Sequence, residues 1–148
     1  MSNFPSWWDS TITIYNKHTD PTTKVTKWYR HSIENQCFWK IAGTKVNVGE
    51  VVLDTESTVC RIPKQADFKK SAEWTALPND EKPNYFTLQP NDIVIDALVE
   101  DEIDEYQSGK RSTDIINKYR AQGCITINTV ALNTMTGMIN PHYYIRGL

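Results

Sequence analysis

Two breaks in a strict two-residue alternation constrain this chain more than any other feature of its sequence. In the apolar stretch CITINTVALN, Ile125 and Ile127 have odd numbers, whereas Val130 and Leu132 have even numbers. Successive side chains of a strand point to opposite faces, so one extra residue must be accommodated near 128–129. The sequence therefore predicts a β-bulge that bends this strand.

A second change of parity lies in the middle of the chain. Val46 and Val48 have even numbers, while Val51 and Leu53 have odd numbers. This predicts a bulge or a turn at Gly49-Glu50. Two such faults indicate a curved or closed sheet, because a sheet that closes on itself must turn corners.

The remaining segments predict one mainly β domain over residues 1–148. VTKWYRHSIE and CFWKIA read as two strands, bent or broken near Asn35-Gln36, with a turn at Gly43-Thr44 after them. The unbroken apolar run Ile93-Val94-Ile95 is typical of a strand covered on both faces. A single helix is expected at about 113–122, ending before Gly123. We expect a small twisted β-barrel or sandwich of about seven or eight strands with this helix on one side.

Composition limits the class of protein. A chain of 148 residues with net charge −2 suits one globular domain, and a general nucleic-acid binder would usually be more basic. The N-terminal sequence MSNFPSWWDS lacks the features of a signal peptide, and no apolar run reaches the roughly 18 residues of a membrane span. We expect a soluble protein that is not secreted and has no membrane partner.

The segment from 96 to 105 concentrates carboxylates without a single base: Asp96, Glu100, Asp101, Glu102, Asp104 and Glu105. It lacks the spacing of a calcium loop, and the following GKRS lacks the upstream glycine of a phosphate loop. No catalytic triad or metal-ligand cluster is recognisable either, so we expect no enzyme activity, cofactor or metal. The acidic run is either a solvated face or a docking patch for a basic partner.

Residues 64–84 form a long stretch without sustained periodicity. Connections of this length in compact domains are commonly functional or mobile. One interpretation is a surface loop held down by Trp74. The other is a projecting arm that contacts a partner or lines a channel, for which the candidate residues are Lys64, Lys69, Lys70, Trp74 and Lys82.

The order of these features resembles a known family. The succession DSTITIYNKHTDP, KWYRHSIENQCFWK, TVCRIP, FTLQPNDIVIDALVEDEI, SGKRSTDIINKY and TVALNT to PHYYIRG is similar to head-tail joining (head-closure, or stopper) proteins of tailed phages and prophages of Gram-positive bacteria. PNDIVI, Pro90 to Ile95, matches a step of that family in which Asn91 replaces the commoner glycine. A turn position with positive φ would tolerate this asparagine.

The resemblance implies a β-barrel protein that assembles in the host cytoplasm as a homo-oligomeric ring in the virion neck. Its partners would be the portal or adaptor, the tail proteins and, non-specifically, packaged DNA. The 64–84 loop would then narrow the channel. Complementary faces of adjacent subunits would be formed by Glu100, Asp101, Glu102, Asp104 and Glu105 on one side and Lys110 and Arg111 on the other.

Two other functions use the same predicted fold. One is a tail-terminator or tail-tube component built on the same kind of β-barrel. An OB-type barrel that binds nucleic acid would present exposed aromatic side chains as stacking platforms, and its candidates are Trp28, Tyr29, Phe38 and Trp39.

Overall fold

The computed structural model describes residues 6–49, 51–133 and 141–148. The strands are β1 (Ser10–Thr19), β2 (Thr26–Val48), β3 (Val51–Pro63), β4 (Ile93–Ile95), β5 (Cys124–Asn133) and β6 (His142–Gly147). Two short helices, α1 (Ser71–Thr75) and α2 (Ser112–Tyr119), and a 3₁₀ turn (Lys82–Asn84) complete the described elements.

The six strands form a closed antiparallel barrel in the order β1-β2-β3-β6-β5-β4, with β4 returning to β1. This confirms the mainly β barrel with a helix on one side. There are fewer strands than predicted because β2 runs unbroken through both expected interruptions. Gly43 and Thr44, predicted as a turn, pair instead with Glu56 and Thr55 of β3.

Strands β2 and β5 each contain an irregularity in their register with a neighbouring strand. In β2, the register with β1 shifts by two extra residues at the predicted bend, and Asn35 has a φ of 58°. In β5, Ile127 faces Gly147 and Thr129 faces Arg146, so one extra residue lies where the parity break placed it. Each strand then changes partners, which lets a single strand belong to both walls of the barrel.

The barrel interior is a single apolar cluster to which all six described strands contribute. Its buried members are Ile12, Ile14, Ile33, Cys37, Cys60, Ile62, Phe86, Leu88, Val94, Ile125, Ile127, Tyr143 and Ile145. A second cluster lies outside the barrel, between the outer faces of β1 and β4 and the segment that includes α2. The two clusters bury β4 on both faces, as its unbroken apolar sequence predicts.

The predicted long loop, residues 64–84, packs against the barrel instead of standing away from it. Phe68 forms an isolated bridge with Phe86, and its ring lies 4.3 Å from that of Tyr143. The Trp74 side chain is completely buried, with its ring 5.5 Å from that of Tyr29. The segment therefore covers one side of the barrel interior.

A buried polar network ties β1 to the turn before β4. The Asn16 amide nitrogen donates to the Thr87 carbonyl (2.6 Å) and to an Asp92 carboxylate oxygen (2.8 Å), while the Asn16 oxygen accepts from the Thr87 amide (3.1 Å). The other Asp92 oxygen accepts from the Lys17 amide and from Gln89. Because these buried polar groups hydrogen-bond to one another, their burial does not leave donors or acceptors without partners.

Three local predictions from the sequence can be compared with the structure. The helix predicted at 113–122 is α2, which ends at Tyr119 because the amides of Gln122 and Gly123 both turn back to the Tyr119 carbonyl. Asn91 has a φ of 76°, the left-handed conformation expected for a residue that replaces glycine. The predicted turn at Gly49-Glu50 contains Gly49 with a φ of 63°, while Glu50 lies outside the described residues.

We expect Gly147→Ala to destabilise the protein by about 1–3 kcal/mol, because an added Cβ would overlap the backbone of Thr126. The Cβ would lie 2.2 Å from the Thr126 carbonyl oxygen and 2.9 Å from its carbon. Denaturant unfolding followed by circular dichroism measures the effect. Arg146→Ala, at an exposed neighbour, is the control and should change stability by no more than about 0.5 kcal/mol. Equal stability of the two variants would contradict the close approach of β5 and β6.

We also expect the Asp92 carboxyl to make stability depend on pH. Burial raises its pKa from the ordinary 3.8 to about 7. The folded protein then holds this proton more tightly than the unfolded chain, so the stabilisation is complete below about pH 4 and is lost as pH rises through about 7. Wild type should lose roughly 1 kcal/mol per pH unit relative to Asp92→Asn across that window. Urea unfolding of both proteins at several pH values tests this, and parallel pH profiles would contradict it.

Candidate interaction site

The segment from 96 to 110 is fastened to the outside of β1 by two side chains of that strand. The Thr13 hydroxyl donates to the Ala97 carbonyl (2.7 Å) and accepts from the Val99 amide (3.0 Å). The Tyr15 hydroxyl donates to the Asp101 carbonyl at 2.6 Å, and burial raises the pKa of this phenol. The acidic run is therefore held in a fixed position on the barrel.

Three carboxylates of this run form hydrogen bonds within the molecule. Asp101 accepts from the Lys118 ammonium (2.7 Å) and the Tyr119 hydroxyl (3.0 Å), and the Lys118 bond does most to lower its pKa. Asp104 accepts from the Tyr106 amide (2.9 Å) in a local turn. Glu105 is the third, and it acts on helix α2.

Glu105 stabilises the beginning of α2. One of its oxygens accepts from the Ser112 amide at 2.6 Å, and Asp114 accepts from the Arg111 amide at 3.2 Å. The first amides of a helix have no partners within the helix, and negative charge is favourable there. Sequence reasoning missed this role because Glu105 precedes the helix by a full loop.

Glu100 and Glu102 are different. Both are exposed, and in the described parts of the chain neither has a hydrogen bond or an ion pair. Of the predicted acidic set, these two are the carboxylates that an outside partner can reach without breaking an internal contact. Lys110 and Arg111 are exposed as well.

A cleft of about 530 Å³ brings part of the predicted set together with β2. The predicted residues that line it are Glu102, Asp104 and Lys110. Across from them lie the cations Lys27 and Arg30, which sequence reasoning missed because they belong to a strand far away in the chain. The remaining lining residues are Tyr15, Val25, Thr26, Trp28, Tyr29, Pro83, Ile103, Tyr106 and Gln107. Its volume lies in the range of ligand sites, and its lining is both aromatic and charged.

The wall of this cleft formed by β2 is a strand edge. The Asp20 amide donates to the Val25 carbonyl at the end of the β1-β2 hairpin, which makes the odd-numbered residues of β2 face β1. Trp28 and Arg30 therefore direct their backbone N–H and C=O groups away from β1. No strand of the described chain pairs with them on that side, since β3 joins β2 only from Phe38 onwards.

Beyond the barrel, β2 and β3 continue as a two-stranded ribbon over residues 42–48 and 51–57, called the ribbon below. Its register runs without a break to the pair Val48 and Val51. β1 reaches β2 only as far as Cys37, and β6 reaches β3 only from Thr58. Neither outer edge of the ribbon therefore has a ladder partner within the described residues.

The lysines predicted on the 64–84 loop are not equivalent. Lys64 and Lys70 are exposed, and Lys69 is half-buried with its ammonium 4.9 Å from the centre of the Tyr85 ring. Lys82 is buried. Its ammonium donates to the Leu77 carbonyl, and burial lowers its pKa.

The buried indole of Trp74 makes two further contacts within this region. Trp74 donates its indole N–H to the Tyr85 carbonyl (3.3 Å), and the Lys82 ammonium lies 5.6 Å from the centre of the indole ring. Trp74, which packs on Tyr29 of β2, thus holds the loop to the barrel, whereas Lys82 binds other residues of the loop. Lys64, Lys69 and Lys70 remain candidates for a partner surface.

The four aromatic residues considered for base stacking do not share one surface. Tyr29 is buried, Trp39 packs against the barrel core, and Trp28 packs against the outer cluster. Phe38 stacks on Trp8 with 5.9 Å between ring centres.

Among the described residues, no helix has the length and apolar character needed to cross a membrane.

We expect Glu105→Ala to lower the free energy of unfolding by about 1 kcal/mol, the usual effect of losing a helix N-terminal partner. Glu100→Ala removes the same charge from the same run without removing a described contact, so its effect should stay within about 0.5 kcal/mol. Urea unfolding of both variants provides the comparison. If the two losses are the same, the internal role of Glu105 is wrong.

Comparison with known proteins places the chain in one family. The model of DUF6751, described as a family of unknown function, matches residues 7–148. No curated protein and no solved structure matches the chain. Because the match includes every strand and helix described above, the chain belongs to the family DUF6751.

Proposed function

We propose that this protein is a structural component of a tailed-phage virion, a subunit of the head-tail connector ring that closes the head below the portal. The observation that carries the proposal is the ribbon, whose two backbone edges have no ladder partner within the described chain. A two-stranded ribbon is at best marginally stable by itself in water. A partner in an assembly would supply the missing contacts.

The distribution of charge supports assembly as well. Glu100 and Glu102 are exposed carboxylates without internal partners, and Lys110 and Arg111 are exposed cations nearby. Glu102 and Lys110 line the same cleft, so they belong to one face of the subunit. This face would meet a face of complementary charge on the neighbour in a heterologous contact, which closes into a ring when the rotation between subunits permits. The portal or adaptor above and the tail proteins below are the proposed partners, with non-specific contact to packaged DNA.

The structure changes the element to which we assign the projecting role. Residues 64–84 were the sequence-based choice, but Trp74 and Phe68 pack that segment against the barrel. The ribbon, whose outer edges have no ladder partner within the described residues, is the better candidate for reaching a neighbour or the channel. Lys64, Lys69 and Lys70 remain proposed contacts for DNA or an acidic neighbour on the side of the barrel.

We expect the protein to be present in purified particles of the phage or prophage that encodes it, at the junction of head and tail. Mass spectrometry of the particles and immunogold labelling in the electron microscope test both points. Labelling at the head-proximal end of tails that lack heads would favour a tail terminator instead. Absence from purified particles would refute the structural role altogether.

A further inference from the structure

We propose that the ribbon of one subunit docks in the cleft of a second copy and adds as a strand to the free edge of β2 at Trp28–Arg30. This inference rests on the proposed assembly of the protein and identifies the contact between its subunits. It assigns one occupant, an extended strand of the same chain, to a cleft otherwise without a known ligand.

The chemistry of the cleft wall selects a peptide backbone. Trp28 and Arg30 present N–H and C=O groups away from β1, and no strand of the described chain pairs with them. The outward direction is confirmed at Thr26, whose amide donates 2.9 Å to the Tyr106 hydroxyl across the cleft. Alternating donors and acceptors along an edge match an added strand, which is a common mode of peptide recognition.

The shape of the cleft agrees with this direction of approach. Six consecutive residues, 25–30, line it. Side chains of consecutive strand residues point to opposite faces, so all six can line one cleft only where it runs along the edge of the strand. Pro83 and Tyr106 also line the cleft, and because the Tyr106 hydroxyl accepts from the Thr26 amide, Trp28 and Arg30 are the positions open to an added strand.

The ribbon offers a strand of suitable length and charge. The β3 half of the ribbon, 51–57, has no ladder partner on its outer side within the described residues. Its sequence VVLDTES contains two carboxylates and no base. The cleft has three cations, Lys27, Arg30 and Lys110, against two carboxylates, Glu102 and Asp104. The acidic strand and the more basic cleft are therefore electrostatically complementary.

The symmetry of the contact follows from the positions of its two halves. In the proposed ring, each copy donates its ribbon to one neighbour and accepts the ribbon of another in its cleft. Such a heterologous contact continues from subunit to subunit and closes into a ring or grows into a filament. Two copies that exchange ribbons reciprocally would form a closed dimer instead, and sedimentation distinguishes this dimer from the ring.

Photo-crosslinking tests the contact directly. A benzophenone amino acid replaces Gln107, an exposed residue of the cleft wall. The full-length protein is irradiated at high concentration, and the crosslinked peptides are identified by mass spectrometry. We expect crosslinks between subunits to end within residues 42–57. Crosslinked oligomers whose peptides map elsewhere, or the absence of crosslinks in a sample that sedimentation shows to be oligomeric, would overturn the inference.

A charge exchange provides the second test and does not depend on crosslinking efficiency. Lys27→Glu with Lys110→Glu should weaken self-association by at least about tenfold, and adding Asp54→Lys with Glu56→Lys should restore it. The control is Lys40→Glu with Arg146→Glu, the same charge change at two exposed residues of the barrel wall that do not line the cleft. Circular dichroism confirms that each variant is folded.

The outcomes of the charge exchange separate the inference from the proposed function. Restoration by the exchanged pairs supports strand addition between copies. Equal weakening by the control pair, or no restoration, would overturn it. If the exchanged pairs have no effect but purified particles still contain the protein at the neck, the ribbon-to-cleft contact is refuted and the connector role is not. A monomeric protein under all conditions, including on assembled particles, would refute the second copy as occupant.

Discussion

The pairing of three residues, Ile93 to Ile95, keeps this sheet closed on itself. β4 is the shortest strand of the barrel, yet it is hydrogen-bonded to β1 on one side and to β5 on the other. Its side chains fill the barrel interior with one face and the outer cluster with the other. Without this strand both apolar clusters would open to water, and the loss of buried apolar surface would far exceed the few hydrogen bonds involved. The Asn16 and Asp92 network at its N-terminal side fixes its position on β1.

The acidic segment that follows β4 combines two kinds of residue that look alike in the sequence. Asp101 and Glu105 hold α2 and its loop to the barrel through hydrogen bonds, whereas Glu100 and Glu102 face solvent. A carboxylate that accepts a backbone amide stabilises the folded chain. An exposed carboxylate contributes little to stability and is available to a partner. Asp101 and Glu105 therefore contribute to folding, and only Glu100 and Glu102 belong to the candidate interface.

Local sequence rules predicted the parts of the fold that depend on local chemistry. The parity break at 128–129 located the bulge in β5, and the replacement of glycine by Asn91 implied its positive φ. The alternation on either side of Gly49 predicted the tip of the ribbon, but the turn predicted at Gly43-Thr44 was wrong, because β2 continues through it in register with β3. Lys82 was expected on the surface because lysine side chains are usually exposed. Its burial depends on the Leu77 carbonyl, which accepts a hydrogen bond from the ammonium and which only the tertiary structure reveals. The cleft joins segments that are far apart in sequence, and periodicity contains no information on such contacts.

The unbroken course of β2 has a mechanical consequence. This one strand begins at the cleft, turns the corner of the barrel at Asn35 and ends at the tip of the ribbon. A pull on the ribbon is transmitted along the covalent backbones of β2 and β3. It loads the ladder of β2 with β1 and the ladder of β3 with β6 along the strand direction, so that many hydrogen bonds resist together. Strands that are peeled apart from one end lose their hydrogen bonds one at a time, whereas strands that are sheared along their length must break many at once. A protein built in this way is suited to hold tension without separate reinforcement.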